Sequence, residues 1–366
     1  MDNSGTIEPS AELFESICSA FRLKGSLQSF EPFGNGHING TYRLVLADDG
    51  QERAFIAQQI NHSVFRNPYE IMENIGLVTE HLRSKGQGTV RFYENASDQT
   101  ALFYTDGGYW RVADALPGVT YEKTDDPVIL TNAGRAFGSF VNALSDLDGK
   151  RLHETIPAFH DTLSRFEALC KAEKADLSGR SAAARKELLL FVKGLEKACL
   201  VSETAKAGKI PVRVTHNDTK FNNVIMDPET KEAVAVIDLD TVMPGTLLFD
   251  YGDAIRYLAN TAAEDEQDLS RVRFDPDRFR QFSEGFLSEV KETLTENERR
   301  LLPYAPFDAT MECGVRFLAD HLSGDTYFKT AYPGHNLARA RNQLALALDM
   351  ERHHKEIETV SEEMLK

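Results

Sequence analysis

Apolar positions change their spacing twice along this 366-residue chain. Residues 11–24 carry an amphipathic helical stripe. From Leu27 the period becomes strand-like. Leu27–Phe33 runs into the glycine turn Gly34-Asn35-Gly36, and Thr41–Leu46 follows as a second strand. The turn signal Asp48-Asp49-Gly50 then leads to a third strand over Arg53–Gln58. Asn67–Lys85 has helical spacing, with Ile71, Ile75, Val78 and Leu82 on one face and Gly86 as a C-cap. Two further strands are expected at Thr89–Tyr93 and Tyr109–Leu116, separated by a turn around Asp106-Gly107-Gly108. Together these elements predict an antiparallel meander with one helix packed on it.

Pro117-Gly118 breaks that pattern, and helices dominate beyond it: around 129–146, 160–173, 182–206, 251–262, 276–294, 309–321 and 336–365. Val212–Asp253 interrupts them with short strands. The pattern predicts an α+β chain of two lobes: a β-rich lobe over 1–112, a hinge over 113–118 and a helical lobe over 119–366. Ligands tend to bind in the cleft such a division creates.

Composition narrows the partners. Hydrophobic residues make up 42% of the chain, enough for a substantial core. The formal net charge of −16 repels nucleic acid, so any phosphate ligand must be met by local devices: metal ions, backbone N–H groups and a few placed cations. The opening residues have no basic region followed by an apolar run, and no apolar stretch is long enough to cross a bilayer. Cys18, Cys170, Cys199 and Cys313 are scattered without a C-x-x-C pair, which fits reduced thiols in a cytoplasmic protein and gives zinc no support. A monomer is favoured.

The candidate chemistry sits in one segment. His216, Asp218 and Asn223 have the spacing H-x-D-x-x-x-x-N, and Asp238 and Asp240 follow as D-x-D. Pro211–Thr215 reads as a short strand, with a polar loop leaving it. Val224–Met226 and Ala233–Ile237 read as a hairpin about residues 229–230. Strand pairing then sets Asn223 opposite residue 237, so Asn223 and Asp238 emerge at one end beside the loop bearing Asp218. Two oxygen donors there suit a hard cation that also takes phosphate oxygens. In phosphoryl transfer such a set supplies an orienting carboxylate and ligands for Mg2+. Asp218 alone is equally at home capping a turn. His216 is expected to act structurally. Asp250 reads as a buried carboxylate anchoring loop amides, or as a helix N-cap. The loop from Gly34 to Thr41 lies between strands where backbone can cover a triphosphate, but an isolated G-x-G is more often a hairpin turn.

H216-N-D-T-K-F-N-N223, with I237-D-L-D-T-V-M-P-G245 and F249-D-Y-G-D253, resembles the aminoglycoside phosphotransferase and choline kinase superfamily. The segments G34-N-G-H-I-N39, A158-F-H-D-T162, M311-E-C-G-V-R-F-L-A-D320 and G324-D-T-Y-F328 bring the resemblance closer to the N-acetylhexosamine 1-kinases, over nearly the whole chain. It implies a protein-kinase-like bilobal fold and transfer of phosphate from ATP to the anomeric hydroxyl of N-acetylglucosamine or N-acetylgalactosamine. The catalytic loop would be 215–223 and the metal-binding segment 237–253. Asp218 would accept or orient the hydroxyl proton, and Asn223 and Asp238 would hold Mg2+. Gly34 and Gly36 would cover the phosphates, and backbone from Ala113 to Leu116 would meet adenine. His37, Asp240, Thr241, Arg316 and Tyr327 would contact the sugar. For Arg316 a salt bridge within its helix, and for Tyr327 core packing, are the other readings.

One departure stands out. Kinases usually carry a third-strand Lys paired with a helix Glu. Here that strand reads Phe55-Ile56-Ala57-Gln58-Gln59-Ile60, and Glu73 and Glu80 have no evident cation. Either Mg2+ and backbone dipoles suffice, or Arg43 or Arg53 reaches in. Kinases of choline, homoserine or aminoglycosides, and a non-catalytic nucleotide- or sugar-binding relative, are the alternatives.

Overall fold

The structure, a computed structural model, describes residues 10–34, 39–62 and 64–366. Its N-terminal part contains α1 (Ala11–Ala20), β1 (Ser26–Pro32), β2 (Gly40–Asp48), β3 (Gln51–Ile60), α2 (Pro68–Ser84), β4 (Phe103–Thr105) and β5 (Gly108–Asp114). The strands form one antiparallel sheet in the order β1-β2-β3-β5-β4. The Ser10 hydroxyl caps α1, whose Leu13, Phe14 and Ile17 pack with Leu44, Phe55, Trp110 and Val112 of the sheet. Ile71, Ile75, Val78 and Leu82 of α2 are all buried, as their spacing predicts, and join the core of the helical part.

The strand expected at Thr89–Tyr93 does not form. Phe92 makes a single bridge to Ala113, and Tyr93 donates its N–H to the Val112 carbonyl. Further along the same edge β5 pairs with β4, joined to it through Asp106 and Gly107, both at positive φ (49° and 74°). Two successive left-handed residues match the twist of a tight hairpin, so β4 pairs along Gly108–Trp110, while 91–93 lie beside Val112–Asp114, where the Asp114 N–H also donates to the Arg91 carbonyl at 3.2 Å.

The C-terminal part is mostly helical: α3 (Pro127–Ala143), α4 (Thr162–Ala175), α5 (Arg185–Ala198), α6 (Leu200–Lys206), α7 (Leu247–Leu258), α8 (Pro276–Val290), α9 (Glu296–Leu301), α10 (Ala305–Ser323), α11 (His335–Arg352) and α12 (His354–Met364). The helices expected over 182–206 and 336–365 each divide in two, at Cys199 and His353, where ψ is close to zero. Helix α7 begins earlier than its pattern suggests, because the Thr246 hydroxyl accepts the Phe249 N–H as an N-cap. Between α6 and α7 lie two small ladders, β6 (Arg213–Thr215) with β9 (Met243–Gly245) and β7 (Val224–Met226) with β8 (Ala233–Val236).

Two glycine sites fix how the parts meet. Gly118, at φ +127°, lies against β7, where an added Cβ would fall 2.7 Å from the Met226 carbonyl oxygen. Val119 and Met226 exchange backbone hydrogen bonds of 2.9 and 2.8 Å at this point, tying the end of the connection to the 224–236 hairpin. Helices α3 and α8 touch backbone to backbone at Gly285, where a Cβ would sit 1.9 Å from the Thr131 carbonyl oxygen. Replacing Gly285 by Ala forces these helices apart. Gly285→Ala is therefore expected to destabilise the protein by about 1–3 kcal/mol, the usual range for overpacking. Chemical denaturation reads this directly, and an unchanged midpoint would contradict the packing described.

Candidate active site

The hairpin predicted from the sequence is present. Val224 pairs with Val236, and the Ile237 N–H donates to the Asn223 carbonyl at 2.9 Å. Asn223 thus faces Ile237, with Asp238 next along the chain. The Asn223 Nδ2 donates to the Asp218 carbonyl at 2.9 Å, leaving its Oδ1 without a donor among the described residues. Asp238 is held at φ +60°, a left-handed conformation that Asp tolerates at modest cost. Its side chain is exposed to solvent and accepts no hydrogen bond from a described residue. Burial of its surroundings, then Asp240 and Asp218, push its carboxyl up to about 7. Two open oxygen donors in a field this negative fit a divalent cation better than they fit each other.

Asp218 projects from a loop whose backbone is held on every side. The buried Asp250 carboxylate accepts the His216 and Asn217 N–H groups at 2.8 and 2.7 Å. That is the anchoring role expected for Asp250; Thr246, not Asp250, caps the helix. Asn217 sits at φ +63°. Its amide group donates to the carbonyls of Thr215 and Thr241 at 3.2 and 3.0 Å and accepts from the Thr215 hydroxyl at 3.0 Å. His216 is fully buried, its Nε2 donating to the Ile237 carbonyl at 2.8 Å while Nδ1 accepts the Asp218 N–H at 3.2 Å. One imidazole tautomer satisfies both contacts, and the ring joins the loop to the hairpin.

Sequence reasoning passed over Lys220, which lies inside the motif. Its Nζ is 2.9 Å from Asp218 Oδ1. Burial pushes the Asp218 carboxyl up, but Lys220 above all outweighs it, and the group sits below the ordinary carboxylate range. Lys220 is held protonated by Asp218, Glu264 and Asp253 against the opposing pull of burial. A cation two residues after a candidate base was legible as a spacing.

Asp240 and Thr241, expected at the sugar, have their side chains engaged inside the protein. Asp240 accepts from Arg111 Nη1 at 2.5 Å and from Asn39 Nδ2 at 2.6 Å, and both members of the ion pair are buried. The Thr241 hydroxyl donates to the His216 carbonyl at 2.8 Å. Arg111 is also the register partner of Gln58, and its Nε donates to Gln58 Oε1 at 3.0 Å. The cation missing from the third strand therefore stands on the neighbouring strand, bridging the sheet to the segment after Asp238. Arg43 and Arg53 do not take that place: they pair with Glu31 and Asp114, each at 3.6 Å. Glu73, thought to lack a cation, lies 2.6 Å from His153 Nε2. Helix α2 is instead tied across by Asn74, which donates to the His153 and Val242 carbonyls at 2.8 and 3.1 Å.

Arg316 makes no salt bridge within its helix. Its guanidinium lies over the rings of Phe159 and Phe328, 4.9 and 5.6 Å from the centroids, and none of its N–H groups has an acceptor among the described residues. Glu312, Tyr327 and Asp218 are close enough to stabilise its charge. Tyr327 is 49% exposed rather than in the core, edge-on to Phe328 at 4.8 Å. The loop bearing both rings is shaped by the buried Asp320, which accepts the N–H groups of Thr326, Tyr327 and Phe328. Ala113 is buried in the sheet, while Leu116, two residues beyond β5, makes no hydrogen bond to any described residue. Gly34 has φ +75°, and no atom of a described residue beyond its chain neighbours lies within 4 Å of an added Cβ; Gly36 and His37 lie outside the described residues. Among the described residues no cluster of three or more His, Cys, Asp or Glu side chains could hold a metal ion, and no helix is long and apolar enough to cross a membrane.

This geometry agrees with the comparisons. Residues 29–282 match the family model described as the phosphotransferase enzyme family, and the chain belongs to that family. Its fold is that of kinases: it is similar to the microcompartment-associated aminopropanol kinase (15% identity over 95% of this chain and 99% of that one, TM-score 0.63). It is similar also to choline kinase from Cryptosporidium parvum (12%, 98% and 100%, 0.62) and to ethanolamine kinase from Plasmodium vivax (14%, 93% and 91%, 0.59). It is a kinase-type phosphotransferase of α+β architecture, with an antiparallel sheet in its N-terminal region and helices in its C-terminal region.

The Arg111–Asp240 pair gives a test of the site's construction. Arg111→Met leaves a buried carboxylate with only Asn39 as a donor, and is expected to cost about 3–5 kcal/mol. Arg111→Met combined with Asp240→Leu should recover most of that loss. Equilibrium unfolding of the three variants checks the pair, and additive losses would show that the two residues are not coupled.

Proposed function

We propose that the protein transfers the γ-phosphoryl group of ATP to the anomeric hydroxyl of an N-acetylhexosamine, giving the sugar 1-phosphate. The observation that carries this reading is Arg316. It is a guanidinium clamped between two aromatic rings, with its donors unused, in the field of Asp218. An ammonium-bearing acceptor would meet that charge unfavourably. A neutral acceptor with hydroxyls and an amide carbonyl offers the oxygens the guanidinium lacks. The acids nearby do not favour an amine: Asp253 and Glu264 are 2.7 and 2.8 Å from Arg256. Tyr327, exposed at the rim, supplies a face for the sugar ring.

In this reading 113–118 is the hinge, and the free backbone of Leu116 meets adenine beside Ala113. Gly34 and Gly36 cover the phosphates, and His37 follows in the same loop. Asp218 orients the hydroxyl and receives its proton, being kept ionised by Lys220. As the oxygen nucleophile engages phosphorus, Lys220 faces charge developing on the transferred group. Asn223 and Asp238 would hold Mg2+, which when bound neutralises phosphate charge and aligns the leaving group. Asp240 and Thr241 contribute by holding the sheet and loop in register.

Asp218→Asn is expected to abolish most turnover while nucleotide affinity stays nearly intact, because orienting the hydroxyl is a transition-state task. Near-wild-type kcat would remove Asp218 from its role. Asp238→Ala should weaken magnesium-dependent nucleotide binding, measured by titration with and without the metal. The substrate is tested with ATP and a panel of N-acetylhexosamines and amino alcohols, with phosphorus NMR of the product separating a 1-phosphate from a 6-phosphate by its coupling. Turnover confined to amino alcohols would replace the sugar reading with the choline-like one.

A further inference from the structure

Residues 159–162 form a strap between the catalytic loop and the helix that bears Arg316, and beyond the Phe159 ring none has a part in the chemistry above. The Phe159 ring supports the Arg316 guanidinium, and its own carbonyl is gripped by Arg165 at 3.1 and 2.7 Å. Thr162 Oγ1 lies 2.9 Å from Asp308 and 2.8 Å from Glu312 on α10. Between them, His160 has its Nδ1 2.8 Å from Glu312 Oε1 and its Nε2 3.0 Å from the Asn217 carbonyl. The ring is stacked on Phe249 of α7, with centroids 3.3 Å apart.

The chemistry of these partners is one-sided. A peptide carbonyl only accepts, so Nε2 carries the hydrogen in this arrangement. The carbonyl it holds belongs to Asn217, the left-handed residue directly before Asp218. Glu312 lies one turn before Arg316 on the same face of α10. Burial would raise the Glu312 carboxyl, but the neighbouring His160 and Arg316 outweigh this and hold it below its usual range.

We propose that His160 is a positioning residue for phosphoryl transfer, its ring locking the peptide before Asp218 to the helix that presents Arg316. The inference rests on the proposed kinase function, with the acceptor seated at Arg316. Transfer needs the acceptor hydroxyl, the carboxylate that orients it and the phosphorus within a few tenths of an ångström of one geometry. Asp218 and Arg316 come from elements almost a hundred residues apart in the chain. The other ties on the loop run to β6, Ile237, Thr241, β9 and α7; among the described residues, His160 is the one that links it to α10.

The test uses full-length protein and whichever acceptor of the panel the wild type phosphorylates. His160→Ala should lower kcat about tenfold to a hundredfold, leave ADP affinity unchanged, and regain part of its activity with added imidazole. Glu312→Gln keeps a partner for Nδ1 and should retain most of kcat. Wild-type kcat in His160→Ala would overturn the proposal. So would parallel loss of kcat, ADP affinity and thermal stability without imidazole rescue, which marks a packing role. A second measurement is independent of the substrate. In 15N-histidine-labelled protein, His160 should show a hydrogen on Nε2 protected from exchange, assigned by its loss in His160→Gln. Absence of that signal overturns the proposal; a protected signal with no acceptor turned over would instead sink the substrate reading alone.

Discussion

The site is built around one buried carboxylate. Asp250 accepts two consecutive backbone N–H groups, those of His216 and Asn217, and so holds open a loop that contains a left-handed asparagine. A charge-assisted bond from carboxylate to backbone N–H is about twice as strong as a neutral one, and two together stabilise a conformation a free loop would leave. Every other tie follows from that shape. The His216 ring can join Ile237 to Asp218, and the Asn217 amide can reach Thr215 and Thr241, only once the loop has turned. The carboxylate of Asp218 and the oxygens of Asn223 and Asp238 then belong to one corner.

Above that corner, this protein joins its sheet to the segment after Asp238 through a side chain of β5 rather than a third-strand lysine. Gln58 occupies the strand, and the charge comes from Arg111, one strand over, reaching Asp240. Because Asn39 also donates to Asp240, a residue of the loop from Gly34 to Thr41 is held by the same carboxylate. A buried ion pair is weak evidence for stability, since desolvation offsets much of its attraction. Its value here is geometric: it fixes β5 of the sheet to the residue two places beyond Asp238. Asn74 performs the same service for α2 with neutral hydrogen bonds.

The surroundings of Arg316 have a different character. Aromatic faces from Phe159 and Phe328 hold a guanidinium whose donors point at no protein acceptor, and Asp320 organises the loop that supplies one of those faces. In the proposed reading such a group would select by leaving hydrogen-bond donors unfilled when the wrong molecule enters, which discriminates more sharply than apolar fit does. The kinases that share the fold include enzymes of ethanolamine, choline and aminopropanol, so the fold leaves the acceptor open and the pocket must choose.

Local signals in the chain determined the helices, the hairpin over residues 224–236 and the convergence of Asp218, Asn223 and Asp238, because each follows from side-chain period or from pairing between near neighbours. The same locality explains why Lys220 was within reach of inspection. Tertiary structure decided the rest. Whether Asp240 faces a ligand or Arg111, whether Thr89–Tyr93 forms a strand or only a bridge to Ala113, and whether Arg316 finds a carboxylate or two rings all turn on partners distant in the chain. A sequence read alone states which groups are present and how neighbours are spaced; which of two chemically adequate distant partners is met is settled by packing, since only the folded chain brings them within bonding distance.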